Sequence, residues 1–407
     1  MDLRSRLARL DRSVGAKPAD PAPEPADRAA LLEGLGLTRR EGAAGPVWSR
    51  ESRTPIPPPP GSPAALAPLL TWTPSTDLTW DDVLLLDTET TGLAGGTGTL
   101  PFLVGLGWWE DGALRVRLDF LGSPAGEAAL LADLDAFARG FRAVVTFNGN
   151  GFDLPLLRTR GILARRRDLL GHLEPLDLLP ACRRLWGRRL PDVRQGTVER
   201  LVADVIRDGQ DIPGAAIPRA WTDLVLQGRA DDAALVLDHN RWDVEGMAAI
   251  LHRAVEALAV HRAGPDACPD TLSWPDAWSL ARLAERGGDA RLAAAWMEAA
   301  LVRAPVGEFP RLHRLGPPAP FWLDAVRLLK RTGDWPRVGA LLELARGFVG
   351  REAWWHREAA ILHEHRLVDL ERALRHARRA DDPRRVERLE RKLGRGRPPV
   401  ADGGPAR

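Results

Sequence analysis

The sequence predicts an α/β domain, a mixed five-stranded sheet flanked by helices, followed by an all-α helical-repeat region. Three observations carry this expectation. Short apolar runs alternate with helical spacings between Trp80 and Arg262. An Asp111-Gly112 turn joins two of those runs as an antiparallel hairpin. Beyond Gly264-Pro265-Asp266, Ala-, Leu- and Trp-rich helical spacing replaces strand patterning.

The elements follow in order. Val83-Leu84-Leu85-Leu86 reads as a strand buried on both faces. Leu100 to Trp109 and Ala113 to Phe120 form the hairpin. Gly126 to Arg139 reads as a helix, Ala143 to Phe147 as the fourth strand, Asp153 to Thr159 as a helix and Leu173 to Leu178 as the fifth strand. A long helix runs from Asp231 to about Leu258, with Asp231 and Asp232 at its favourable N-terminal end. Residues 1–76 are rich in Pro and read as a largely disordered leader. Leu3, Leu7 and Leu10 within it suit a short docking helix, and the proline run at 56–63 a semi-rigid spacer. Residues 80–262 are the expected α/β domain, 270–395 the helical repeats and 396–407 a disordered tail. In the repeat region Ala281 to Asp289, Val326 to Asp334 and Ile361 to Asp369 recur as weakly similar units, near the period of tetratricopeptide hairpins.

Length and composition set outer limits. The 407 residues suggest two or three domains. No apolar run approaches the ~18 residues of a membrane span, so no membrane association is expected. The charged N-terminal stretch does not read as a secretory signal, which leads to the expectation of a cytoplasmic protein. Cys182 and Cys268 stand far apart with no CxxC pair, which excludes a disulfide framework and a zinc-cysteine site. The net charge is only +2, yet residues 158–200 carry eleven arginines against five acids. That belt includes Arg158, Arg160, Arg165, Arg166, Arg183 and Arg184, suited either to phosphate contacts or to a solvated surface. Trp186 and Trp221 suit base stacking or core packing.

Three motifs carry the chemistry. In Asp87-Thr88-Glu89 after the first strand, residues i and i+2 point to one side, so two carboxylates converge. They suit hard divalent cations such as Mg²⁺ or Mn²⁺, at a strand end where α/β sheets tend to place sites. Phe147-Asn148-Gly149-Asn150-Gly151-Phe152-Asp153 ends a strand in a turn, with Asp153 placed either to cap the next helix or to join the carboxylates. On the long helix His239 and Asp243, four apart, share a face. Asp177 suits a supporting acid or a helix cap, and the loop Gly95 to Thr99 a turn admitting substrate.

These motifs, in this order, together with Phe102-Leu-Val-Gly-Leu-Gly107, resemble the DnaQ-like (DEDD) exonuclease superfamily of the ribonuclease H-like fold, and within it the YprB-type domain. The resemblance implies that Asp87, Glu89, Asp153 and Asp243 are metal ligands for two Mg²⁺ or Mn²⁺ ions, and that Asn148 lies at the nucleic-acid contact. It implies a metal-dependent 3′-5′ exonuclease on single-stranded DNA or RNA. A structure-specific endonuclease and a non-catalytic adaptor using the helical repeats to bind a protein partner are the alternatives. One branch of the superfamily has Tyr four residues before the last Asp and the other has His five before it. This chain has no tyrosine, and His239 stands in the tyrosine-type slot as the expected catalytic water-handling group.

Overall fold

The computed structural model describes residues 25–70, 73–92, 98–305 and 317–395. The expected docking helix near the N-terminus, most of the Gly95 to Thr99 loop and the expected tail lie outside the described residues. The chain divides into one unit of residues up to 183 plus 190–258, and a second of 184–189 plus 259 onward.

The first unit is organised by β3, Val83–Thr90, whose Val83 to Leu86 run is fully buried. An uninterrupted apolar stretch at the middle of a sheet is what covering both faces requires. β4 (Pro101–Glu110) pairs antiparallel to it, with Asp87 opposite Gly105. The hairpin to β5 (Ala113–Phe120) turns through Asp111 and Gly112, both at positive φ, as a type I′ turn requires. β6 (Ala143–Thr146) and β7 (Glu174–Asp177) extend the sheet in parallel on the other side of β3.

Among the described residues the sheet has seven strands, in the order β1-β2-β5-β4-β3-β6-β7, which corrects the five-stranded expectation. β1 (Thr38–Gly42) and β2 (Gly45–Thr54) come from the segment expected to be a disordered leader. Helix α1 (Pro25–Gly34) precedes them. Their inner face combines buried Val47 with polar and charged groups, which is why hydropathy conceals them. Ser49 donates to Asp119 at 2.6 Å, Arg40 bonds Ser49, Asp119 and Asp133, and Arg117 bonds both aspartates. Two arginines are matched to two buried aspartates beside Val47, and each carboxylate is paired as burial demands. The proline run is also anchored, since the Pro57 carbonyl accepts from His252 at 2.7 Å. A 3-10 turn over Pro63–Leu69 then buries Leu66 and Leu69.

Helices α2 (Glu127–Ala138) and α3 (Asp153–Leu163) match the expected positions. The expected long helix is α7, Ala233–Ala263. Three shorter helices were not read from the sequence: α4 (Leu178–Trp186), α5 (Gln195–Leu201) and α6 (Ile217–Gln227). Trp186 and Trp221 are core residues, Trp221 stacking on Phe102 and donating to the Leu121 carbonyl. α7 lies close over β4 because Gly105 and Gly107 have no side chain. A Cβ on Gly105 would stand 2.1 Å from Asn240 Oδ1, and one on Gly107 2.6 Å from Val244 Cγ1.

The second unit is helical among its described residues. It contains α8 (Trp274–Arg286), α9 (Ala290–Arg303), α10 (Ala319–Thr332), α11 (Trp335–Val349), α12 (Ala353–His365), α13 (Leu370–Arg379) and α14 (Pro383–Arg395). The recurring sequence units mark the hinges of α8/α9, α10/α11 and α12/α13. Asp289, Asp334 and Asp369 are N-caps whose carboxylates accept from Leu292, Arg337 and Arg372 backbone N–H groups. Each cap satisfies a helix-end donor that would otherwise be unpaired. Gly288, Gly333 and Val368, just before them, take the left-handed conformation that reverses the chain.

Candidate active site

β3 ends with Asp87 and Glu89 on the same side of the strand, both half-buried. Asn240, fully buried on α7, donates its Nδ2 to Asp87 Oδ2 at 2.6 Å and fixes that carboxylate. The close approach of α7 over Gly105 is therefore what brings Asn240 within reach.

Asp153 enters from α3 as the first helical residue and is 5% exposed, with Phe152 in the capping position. Thr88 donates its hydroxyl to Asp153 Oδ1. The preceding turn is held from below. Asp177 accepts from the Asn148 N–H at 2.8 Å, the Asn150 N–H at 3.3 Å and the Leu179 N–H at 3.0 Å. Its carboxylate both braces the turn and caps α4, so the two roles considered for it coincide. Asn148 is left-handed and exposed on this turn.

From α7 come His239 and Asp243. His239 Nε2 stands 3.3 Å from Asp243 Oδ2 and 3.8 Å from Glu89 Oε1, while Nδ1 meets Asp211 Oδ1 at 2.6 Å. Ligand atoms of Glu89, His239 and Asp243 all lie within 4.8 Å of one another. Arg207, in the segment after α5, bonds Asp243, Glu199 and Asp211. A cavity of about 530 Å³, lined by residues that include Gln195, Arg200, Ile206, Arg207, His239 and Asp243, opens beside this group.

Asp87, Glu89, Asp153 and Asp243 act on one another electrostatically. Burial, then the charges of Asp243, Asp153 and Glu89, push the Asp87 carboxyl well above its ordinary range. Burial, then Asp243 and Asp153, does the same to Glu89. Burial pushes Asp153 up to about 6, against the hydrogen bond from Thr88. Carboxylates gathered this way resist ionisation unless cations join them. Oxygen donors of this density, with one imidazole at their edge, suit Mg²⁺ or Mn²⁺. The donor set fits a divalent-ion centre.

The arginines expected on nucleic acid divide. Arg158, Arg165 and Arg183 are exposed. Arg160 is 9% exposed and bidentate with Glu127, which corrects its placement in the phosphate belt. A buried guanidinium held bidentate by a carboxylate has its charge neutralised inside the fold and is not presented to a phosphate at the surface. Arg166 pairs with Asp135 at 3.2 Å, and Arg184 falls in the second unit. Sequence reasoning missed Thr88, Glu199, Arg207, Asp211 and Asn240. For Asn240 the signal was its place inside His239-Asn-Arg-Trp-Asp243, whereas Arg207 and Asp211 sit in a polar stretch with no distinguishing pattern.

Residues 84–255 match the RNase H superfamily, so the first unit contains an RNase H-like domain. Asp87, Glu89, Asp153, His239 and Asp243 all lie in the matched stretch. The chain is also 33% identical, over 185 residues, to the uncharacterised protein YprB of Bacillus subtilis (strain 168). That match covers 44% of this chain and 43% of the relative's length.

Proposed function

We propose that the protein is a divalent-metal-dependent nuclease that hydrolyses single-stranded DNA or RNA from the 3′ end. The observation that carries this reading is the convergence of Asp87 and Glu89 from one strand end, Asp153 from one helix start and Asp243 from one helix face, with His239 beside them. Those four carboxylates would hold two Mg²⁺ or Mn²⁺ ions. Such ions, when bound, lower the pKa of an attacking water and stabilise the departing 3′ oxygen.

The chain's own groups do the rest. Asn240 and Thr88 hold Asp87 and Asp153 in fixed orientations, so the ligand set is preorganised. With Nδ1 bonded to Asp211, His239 presents Nε2 toward Glu89 and Asp243, where it can take a proton from the attacking water. Exposed Arg158, Arg165 and Arg183 supply phosphate contacts without base specificity. The helical hairpins of the second unit, tetratricopeptide-like in their repeat length, serve a protein partner.

Purified protein incubated with 5′-labelled single-stranded DNA and RNA, with Mg²⁺, Mn²⁺ or EDTA, tests this. A ladder shortening from the 3′ end is expected with metal and none with EDTA. Internal fragments without a ladder identify an endonuclease. No cleavage in either metal identifies the adaptor.

A further inference from the structure

Arg207 is bound into the site more firmly than an ion pair of convenience. Its Nε and Nη2 donate to Glu199 Oε2 at 3.1 and 2.8 Å, and Nη1 reaches Asp211 Oδ2 at 3.0 Å. Nη2 also donates to Asp243, and Nη1 lies 3.3 Å from His239 Nδ1. The anchor, Glu199, is 2% exposed and has its own seat in the fold. Gly246 of α7 leaves room for it, since a Cβ there would stand 2.0 Å from Glu199 Oε1. Gln195 then donates both to Glu199 Oε1 at 2.9 Å and to the Asp243 carbonyl at 2.7 Å. Helix α5 is thereby tied to α7 at the residue expected to hold metal. A guanidinium is charged at every working pH.

From this geometry we infer that Arg207 is a resident cation of the site, a positioning residue that holds Asp243 and shares its charge with any divalent ion. The inference rests on the metal-dependent reading above. Before a metal arrives, Arg207 relieves repulsion among the carboxylates. When a metal binds, Arg207 repels it and competes for Asp243. The ion is therefore held less tightly than the count of carboxylates alone would allow, and Asp243 keeps one orientation whether or not metal is present. Neutralising Arg207 while keeping its length should tighten metal binding, a gain that damage to the fold does not produce.

The test is a calorimetric titration of the full chain with Mn²⁺, together with thermal melts in EDTA and in Mn²⁺. Arg207→Met is expected to bind Mn²⁺ about tenfold more tightly than wild type. It is also expected to melt lower than wild type in EDTA and to gain more from Mn²⁺. Arg207→Lys, which keeps the charge, is expected to stay within about threefold of wild-type affinity. Equal or weaker Mn²⁺ binding by a folded Arg207→Met overturns the inference. If Arg207→Met is unfolded in EDTA, folding on addition of Mn²⁺ supports it and failure to fold with Mn²⁺ overturns it. If wild type itself binds no Mn²⁺, the metal-dependent reading fails and takes this inference with it. Wild-type binding with no difference in Arg207→Met removes the inference alone.

Discussion

Replacing Asp153 by Asn should abolish cleavage and yet stabilise the metal-free protein. Asp153 is buried and its carboxyl is pushed from 3.8 to about 6. Holding that group ionised in the folded chain therefore costs about 3 kcal/mol relative to the unfolded chain. The sign follows from linkage. A carboxyl raised on folding contributes its stability below about pH 4, and that contribution is lost as pH rises through about 6. Asp87 and Glu89, raised in the same direction, add to the loss. In EDTA, wild type should thus be less stable at pH 8 than at pH 4.5 through these groups. An Asn at 153 has no charge to desolvate, and its amide oxygen can still accept from Thr88. Asp153→Asn should therefore exceed wild type at pH 8 in EDTA by up to about 3 kcal/mol. That corresponds to several degrees and at most about 10 °C in a domain of this size. At pH 4.5 the difference should shrink to about 1 kcal/mol, and it should vanish below about pH 4. Melting followed by circular dichroism in EDTA at both pH values measures it. An Asp153→Asn protein less stable than wild type at pH 8 would refute the reasoning, because the carboxylate would then be contributing as an ordinary paired group.

Other consequences can be checked separately. Gly105→Ala places a Cβ 2.1 Å from Asn240 Oδ1, so α7 must lift from β4; the expected cost is about 1–3 kcal/mol in urea unfolding, with activity falling more than stability. An unchanged cleavage rate in that variant would show that α7 need not lie so close to position Asn240. Arg40→Ala strips one cation from buried Asp119 and Asp133 and should destabilise the first unit by about 3 kcal/mol, an effect absent if β1 and β2 are not integral to the sheet. His239→Ala should lose most cleavage at every pH while still binding Mn²⁺, since the carboxylates remain; full activity would remove its proton-handling role.

What the sequence made legible follows from what each element buries. β3, β4 and β6 show as apolar runs because their side chains are buried, as in Val83 to Leu86, whereas β5 is marked by the Asp111-Gly112 turn that precedes it. β1 and β2 bury Ser49 and pair Arg40 with Asp119 and Asp133, so their pattern resembles a loop until the partner strand is known. The four acids and His239 were legible because strand ends and i,i+4 helix positions are local in sequence. Glu199, Arg207 and Asn240 act only through tertiary approaches made possible by glycines at 105 and 246, and spacing along the chain carries no trace of those. Arg160 shows the converse. As text it belongs to a basic run, yet its charge is consumed inside the fold by Glu127, 33 residues away.

The proposed metal-dependent nuclease site rests on the converged carboxylates. It is tested most directly by cleavage of 5′-labelled single-stranded DNA and RNA by wild type and Asp87→Asn, each in Mn²⁺ and in EDTA. Shortening from the 3′ end by wild type in Mn²⁺ alone is expected, with at least a hundredfold loss in Asp87→Asn, about 3 kcal/mol of transition-state stabilisation. Equal cleavage by the two proteins, or cleavage by wild type undiminished in EDTA, would contradict it.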